Sequence, residues 1–170
     1  MDERLNRVVL ALGSNRGNRL KNLKKAVSNI ELKIGKINAR SGLYYTSSWG
    51  DQSLNPFINA AIMIETSKNP FELLKKCRQI ELSMGRKRKK SRKKYANRII
   101  DIDILYFEKR KIDLLSLKIP HPELQNRMFV LRPLVDIAAK MKHPILLKSN
   151  LKLHSICKDS GTVRKISQKI

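Results

Sequence analysis

Two carboxylates sit two residues apart in Arg98-Ile99-Ile100-Asp101-Ile102-Asp103-Ile104-Leu105-Tyr106-Phe107, directly after a run crowded with arginine and lysine. The β-branched, apolar character of this segment predicts a strand. Side chains alternate along a strand, so Asp101 and Asp103 share one face while Ile100, Ile102 and Ile104 share the other. Neighbouring carboxylates repel, and a folded chain keeps such a pair where a cation sits between them. Mg²⁺ suits the position, because it takes one or two carboxylates and completes its coordination with water and phosphate oxygens. Nearby arginines to neutralise phosphate extend the reading to nucleotide chemistry. The plain alternative is an amphipathic strand with a solvated acidic face.

The elements that must position this pair follow from periodicity. Val8 to Leu12 reads as a buried strand, followed by a loop over Gly13 to Asn18. Leu20, Leu23, Val27, Ile30 and Ile34 then recur at three- and four-residue steps, the apolar face of a helix that Gly35 stops. Ile37 to Tyr45 is expected as a strand, Thr46 to Ser53 as a loop and Asn59 to Thr66 as another strand. Asn69-Pro70-Phe71-Glu72 carries a helix start, with Asn as N-cap, Pro at N1 and Glu at N3. Leu73, Cys77, Ile80 and Met84 form that helix's stripe until Gly85. Arg86 to Lys94 is almost wholly charged, and the acidic strand follows it. Met128 to Ala139 is expected as a helix, with Pro133 tolerated only near its start. Leu151, Leu153 and Ile156 are expected to pack on the core.

The order β-α-β-β-α-β predicts an α+β, ferredoxin-like fold: an antiparallel sheet with two helices on one face, its other face open to ligand, and extra C-terminal elements. At 170 residues the chain suits a single domain over 1–170, with 1–7 and 160–170 expected to be loosely ordered. The net charge of +23 invites a polyanion, but it is spread along the whole chain. Cys77 and Cys157 fit no metal or redox spacing, and Cys77 is expected as a buried thiol in a reducing cytoplasm. No apolar run is long enough to span a membrane.

Several segments together resemble the hydroxymethyl-dihydropterin pyrophosphokinase family of folate enzymes. They are Ala11-Leu12-Gly13-Ser14-Asn15, Tyr44-Tyr45-Thr46, Phe57-Ile58-Asn59-Ala60-Ala61, Ile80-Glu81 with Gly85-Arg86-Lys87-Arg88, the Arg98 to Leu105 strand, Pro120-His121 and Asn126 to Leu134. They run in the family's order from about Val8 to Ala139. The resemblance implies Mg²⁺-dependent transfer of the β,γ-pyrophosphoryl group of ATP to the hydroxymethyl oxygen of 6-hydroxymethyl-7,8-dihydropterin, with release of AMP. By the same resemblance Asp101 and Asp103 hold two Mg²⁺ ions, and Arg86 and Arg98 clamp phosphates. Glu81, Arg88, Arg98, His121 and Arg127 face ATP. Thr46, Phe57, Asn59 and Phe129 take the pterin, whose flat ring suits two aromatic faces, and Trp49 is a flap over it. The family pattern further implies a cytoplasmic monomer with small-molecule substrates and no nucleic-acid or membrane partner.

This chain departs from the pattern in places. Tyr95-Ala96-Asn97-Arg98 stands where the family usually has Trp-Gly-Pro-Arg, Pro122 where it often has tyrosine, and the basic loop is about two residues longer. Three competing readings arise at this level, and the second fails on the sequence itself. A basic RNA-binding domain on the same scaffold would need aromatics on one sheet face, whereas Tyr106 and Phe107 are adjacent and point oppositely. A P-loop kinase would need Gly-Lys-Ser/Thr, which Gly13 to Asn18 lacks. A folded but slow, degenerate enzyme is the third.

Overall fold

The computed structural model describes residues 5–48, 55–86 and 96–170. Strand β1 (Asn6–Ser14) lies between β4 (Phe57–Thr66) and β5 (Asp101–Phe107), antiparallel to both. β2 (Lys36–Arg40) and β3 (Leu43–Thr46) both pair with β4, so they act as one strand interrupted at Ser41-Gly42. The sequence reading had this as a single strand. At the break, Ser41 stays tied to β4: its Oγ accepts from the Ala61 backbone N–H at 2.9 Å. The resulting order, β5-β1-β4-β3, is the ferredoxin-like arrangement expected from the sequence.

Helices α1 (Arg19–Lys33) and α2 (Pro70–Ser83) pack on one face. The expected stripes are buried there: Leu23, Val27 and Ile30 from α1, and Leu73, Cys77 and Ile80 from α2, against Val8, Leu10, Leu12, Ile62, Ile102 and Ile104. Asn18 caps α1 by accepting from the Lys21 N–H, and α2 carries the full Asn69/Glu72 capping box. Gly85 ends α2 in left-handed backbone at φ 95°. Gly35 follows α1 for a different reason from the one expected. It has no left-handed φ; a Cβ there would lie 2.0 Å from the Glu65 carbonyl oxygen, so the close approach to β4 requires glycine.

The second face is more covered than the sequence suggested. Helices α3 (Met128–Ala138) and α4 (Asn150–Ile156) bury Val130, Leu131, Leu134 and Leu153 against Val9 and Tyr106. Pro133 lies at the sixth position of α3 rather than near its start, removing the bond that the Phe129 carbonyl would accept. Leu151 and Ile156, expected in the core, are exposed because they lie on the outer side of α4; only Leu153 faces inward. Residues 160–170, expected to be loose, include β8 (Val163–Ile166), which pairs with β3 and extends the sheet. At the other end, strand structure already begins at Asn6. A hairpin of β6 (Ile112–Leu114) and β7 (Leu117–Ile119) precedes His121.

Phe107 lies in the core under α1 and α2, whereas Tyr106 lies under α3 and α4, donating from its hydroxyl to Asn150 Oδ1 at 2.7 Å. Neither ring is available to stack a base. Among the described residues no helix is long and apolar enough to cross a membrane.

Candidate functional site

One end of the sheet's second face is left open beside α3, and the site is built there. The cross-strand register sets its floor. Gly13 on β1 is flanked by Asn59 on β4 and Asp101 on β5, and Ala11 is flanked by Ala61 and Asp103. Small residues in the central strand therefore leave a cavity of about 310 Å³ between an amide on one side and two carboxylates on the other. Its walls include Thr46, Phe57, Asn59, Arg86, Arg98, Asp101, Asp103, His121, Arg127 and Phe129. β1 continues through Ser14, so Gly13 is a strand residue and not the first residue of the expected loop.

On the amide side, Asn59 Nδ2 donates to Thr46 Oγ1 at 2.7 Å, and both side chains are buried. A Cβ at Gly13 would come within 2.6 Å of Asn59 Oδ1 and 3.5 Å of Phe57 Cδ1. Glycine is what lets that carbonyl oxygen stay where it is, a role a single sequence could not show. Phe57 and Phe129 are part-exposed and line the cavity, Phe129 also packing against the second-face cluster. The Arg127 guanidinium lies 5.9 Å from the Phe129 ring centroid, joining the aromatic side to the charged one.

On the carboxylate side, Asp101 is held at both oxygens. Oδ1 accepts from Arg86 Nη1 at 2.6 Å and Oδ2 accepts from Arg98 Nη1. Arg86 Nη1 also donates to Glu81 Oε1, which accepts in addition from the Ile102 backbone N–H at 2.9 Å. Glu81 was expected to face ATP. It is 4% exposed and absent from the cavity wall, bracing Arg86 and β5 from behind. Burial works against the charge on Arg86, but Asp101 and Glu81 outweigh it and raise its pKa.

Asp103 is less well matched. Burial, then the charges of Asp101 and Glu81, push its carboxyl up to about 7, while Arg127 and Arg98 act on it through space in the opposite sense. The arginines nearby do not offset burial and the neighbouring carboxylates at Asp103. Among the described residues no group of three or more His, Cys, Asp or Glu is arranged to hold a metal. A closed protein cage is therefore not what these residues form. Two carboxylates opening onto a cavity suit Mg²⁺, which keeps positions for phosphate and water.

His121 lies at the same end, its backbone N–H donating to the Leu105 carbonyl of β5 at 3.0 Å. Its Nδ1 accepts from the Glu123 N–H at 3.2 Å, so the neutral ring carries its proton on Nε2. Burial, then Arg127, lowers its pKa to about 4, and the ring stays neutral at pH 7. Of the residues expected from the sequence, the cavity gathers Thr46, Phe57, Asn59, Arg86, Arg98, Asp101, Asp103, His121, Arg127 and Phe129. Trp49 and Arg88 lie outside the described residues.

Beyond the end of β1, Asn15 is buried and holds the segment that precedes the acidic strand: its Oδ1 accepts from the Arg98 N–H at 2.6 Å. From the sequence Asn15 is expected only in a loop; the contact joins positions distant in the chain.

With this geometry in hand, similarity to known proteins is informative. A family model described as 7,8-dihydro-6-hydroxymethylpterin-pyrophosphokinase matches residues 9–139. The chain is 40% identical over 143 residues to a 2-amino-4-hydroxy-6-hydroxymethyldihydropteridine pyrophosphokinase of Aquifex aeolicus, covering 83% of this chain and 86% of that protein. It is 38% identical over 135 residues to the Methylorubrum extorquens protein of the same name, covering 79% and 84%. In structure it resembles Plasmodium falciparum HPPK-DHPS, with a TM-score of 0.73 at 20% identity over 91% of this chain. The chain spans 46% of that solved chain, and the likeness bears on fold alone.

Proposed function

The chain belongs to the 7,8-dihydro-6-hydroxymethylpterin-pyrophosphokinase family, pyrophosphokinases of folate biosynthesis that use ATP, and from that we propose the reaction of its cavity in detail. It transfers the β,γ-pyrophosphoryl group of ATP to the hydroxymethyl oxygen of 6-hydroxymethyl-7,8-dihydropterin, with Mg²⁺, releasing AMP. The single observation that carries this reading is that one cavity has a neutral, aromatic end and a charged end on opposite sides of Gly13.

The pterin ring lies between Phe57 and Phe129, a slot that favours a flat heteroaromatic. Asn59 offers Oδ1 to the ring's N–H edge, its amide fixed by Thr46. This places the hydroxymethyl group toward Asp101 and Asp103, next to the arginines. Arg86 and Arg98 turn from Asp101 to the triphosphate, where a guanidinium fork matches two phosphate oxygens. His121 donates from Nε2 to a phosphate oxygen, and its neutrality preserves that tautomer. Arg127 adds positive charge between the ring and the phosphates.

Asp101 and Asp103 would hold two Mg²⁺ ions, which when bound neutralise triphosphate charge and align it. The pterin oxygen bonds to the β-phosphorus and gives up its hydroxyl proton to solvent, and the bond from that phosphorus to the α-phosphate oxygen breaks, so AMP leaves with that oxygen. Most of the protein's work is positioning and charge neutralisation. Incubation with ATP, Mg²⁺ and the hydroxymethyl-dihydropterin should give AMP in step with pterin diphosphate. Release of ADP in place of AMP, or no pterin-dependent turnover, would contradict the reaction.

A further inference from the structure

We propose that Asn97 is a positioning residue that couples the pterin wall to the phosphate-clamping arginine, so that filling one end of the cavity prepares the other. The inference rests on the reaction proposed above.

Three chain segments meet just past the end of β1. Asn15 uses its backbone N–H and both polar atoms of its side chain there. Its backbone N–H donates to the Arg98 carbonyl at 3.0 Å, and its Oδ1 accepts from the Arg98 N–H at 2.6 Å. Its Nδ2 donates to the Asn55 carbonyl at 3.0 Å and to Asn97 Oδ1 at 2.8 Å. The same Asn97 oxygen accepts from the Asn55 backbone N–H at 3.1 Å. One side-chain oxygen therefore bridges the segment entering β4 and the end of β1, from the segment entering β5.

The two bridged segments lead straight to opposite ends of the site. Asn55 stands two residues before Phe57, a wall of the aromatic slot, and the intervening Pro56 carbonyl accepts from Arg19 Nη1 at 2.9 Å. Asn97 immediately precedes Arg98, whose guanidinium is on Asp101. A displacement of Phe57 by an entering ring is thus passed to the Arg98 backbone through a knot with few free torsions. Among the described residues, without the Asn97 oxygen Asn55 and Arg98 would be bridged through Asn15 alone.

Among the described residues, both contacts of the Asn97 side chain are made as an acceptor through Oδ1, and this makes the test specific. Asn97 is exposed and belongs to neither hydrophobic core, so packing does not depend on it. Asn97→Leu is similar in size and removes the acceptor; Asn97→Asp keeps it. The measurement is the affinity of 6-hydroxymethylpterin with and without α,β-methylene-ATP and Mg²⁺, alongside melting temperature and steady-state turnover. The ratio of the two affinities cancels any uniform effect of the extra charge in Asn97→Asp.

In the wild type the nucleotide analogue should tighten pterin binding by about tenfold or more. Asn97→Leu should leave the affinity of each ligand bound alone within about twofold and reduce that tightening by about fivefold or more, with kcat lowered. Asn97→Asp should restore the tightening. Unchanged tightening in Asn97→Leu, a defect in Asn97→Asp equal to that in Asn97→Leu, or a loss of each affinity in parallel with melting temperature would overturn the role. Wild-type protein that yields no AMP would instead sink the reaction itself, and this inference with it.

Discussion

The two ends of the cavity stand on the same strands but are finished in opposite ways. At the end proposed for the pterin, Asn59 and Thr46 are neutral, 7% and 1% exposed, and already hydrogen-bonded to one another. At the end proposed for phosphate, Glu81 and Asp101 are satisfied by the arginines proposed to clamp the nucleotide, while Asp103 is held well above its ordinary pKa. Neutral groups can satisfy each other and still present a shaped edge to a ligand. Charged groups meant for a polyanion cannot, because their mutual pairing must be broken when it arrives. One end is a preset mould; the other is a set of charges waiting to be redistributed.

The largest effect should come from removing that charged arrangement. Asp103→Ala and Asp101→Ala should each lower kcat by about 10³-fold or more while pterin affinity in the absence of nucleotide stays near wild type. A comparable loss of pterin affinity would mean that the two ends are not separable. Arg98→Ala should lower turnover by about 10²–10³-fold with ATP affinity changed only a few-fold, since its pairing with phosphate matters most as charge moves during transfer. Equal losses in turnover and affinity would make Arg98 a simple binding residue.

The mould is tested by Gly13→Ala. A methyl 2.6 Å from Asn59 Oδ1 must push the amide aside, so pterin affinity should fall by about 10- to 100-fold with nucleotide affinity unchanged. Calorimetric titration with each ligand separately reads this directly.

The smallest effect concerns stability. Asp103 has a folded pKa near 7, above its unfolded value, so its contribution to stability is full below about pH 4 and declines as pH rises through 7. Asp103→Asn should therefore raise the melting temperature at pH 8 by about 2–8 °C and leave it nearly unchanged near pH 4. A variant less stable than wild type at pH 8 would show that Asp103 is already well paired.

Much of this was legible in the residues. The alternation of Asp101-Ile102-Asp103-Ile104 placed the acids on the ligand face, and the spacing of Leu23, Val27 and Ile30 placed α1 beneath the sheet. Local signals such as the Asn69 capping box were equally plain because every participant lies within one turn. What could not be read depended on contacts between distant segments. Gly13 becomes essential only when the register sets it opposite Asn59, and Gly35 only when β4 passes close by. Glu81 is pulled behind the wall by the Ile102 N–H, a partner one strand away. The C-terminal strand has too little hydrophobic alternation to announce itself; its order comes from pairing with the exposed edge of β3.

The most direct test is of divalent-cation binding by the two aspartates in the presence of a polyphosphate. Electron paramagnetic resonance of Mn²⁺, used in place of Mg²⁺, should show tight binding by wild type together with α,β-methylene-ATP and marked loss in both Asp101→Asn and Asp103→Asn. If both variants hold the Mn²⁺–nucleotide complex as firmly as wild type, the carboxylate pair is not the seat of the cation and the proposed catalyst is wrong.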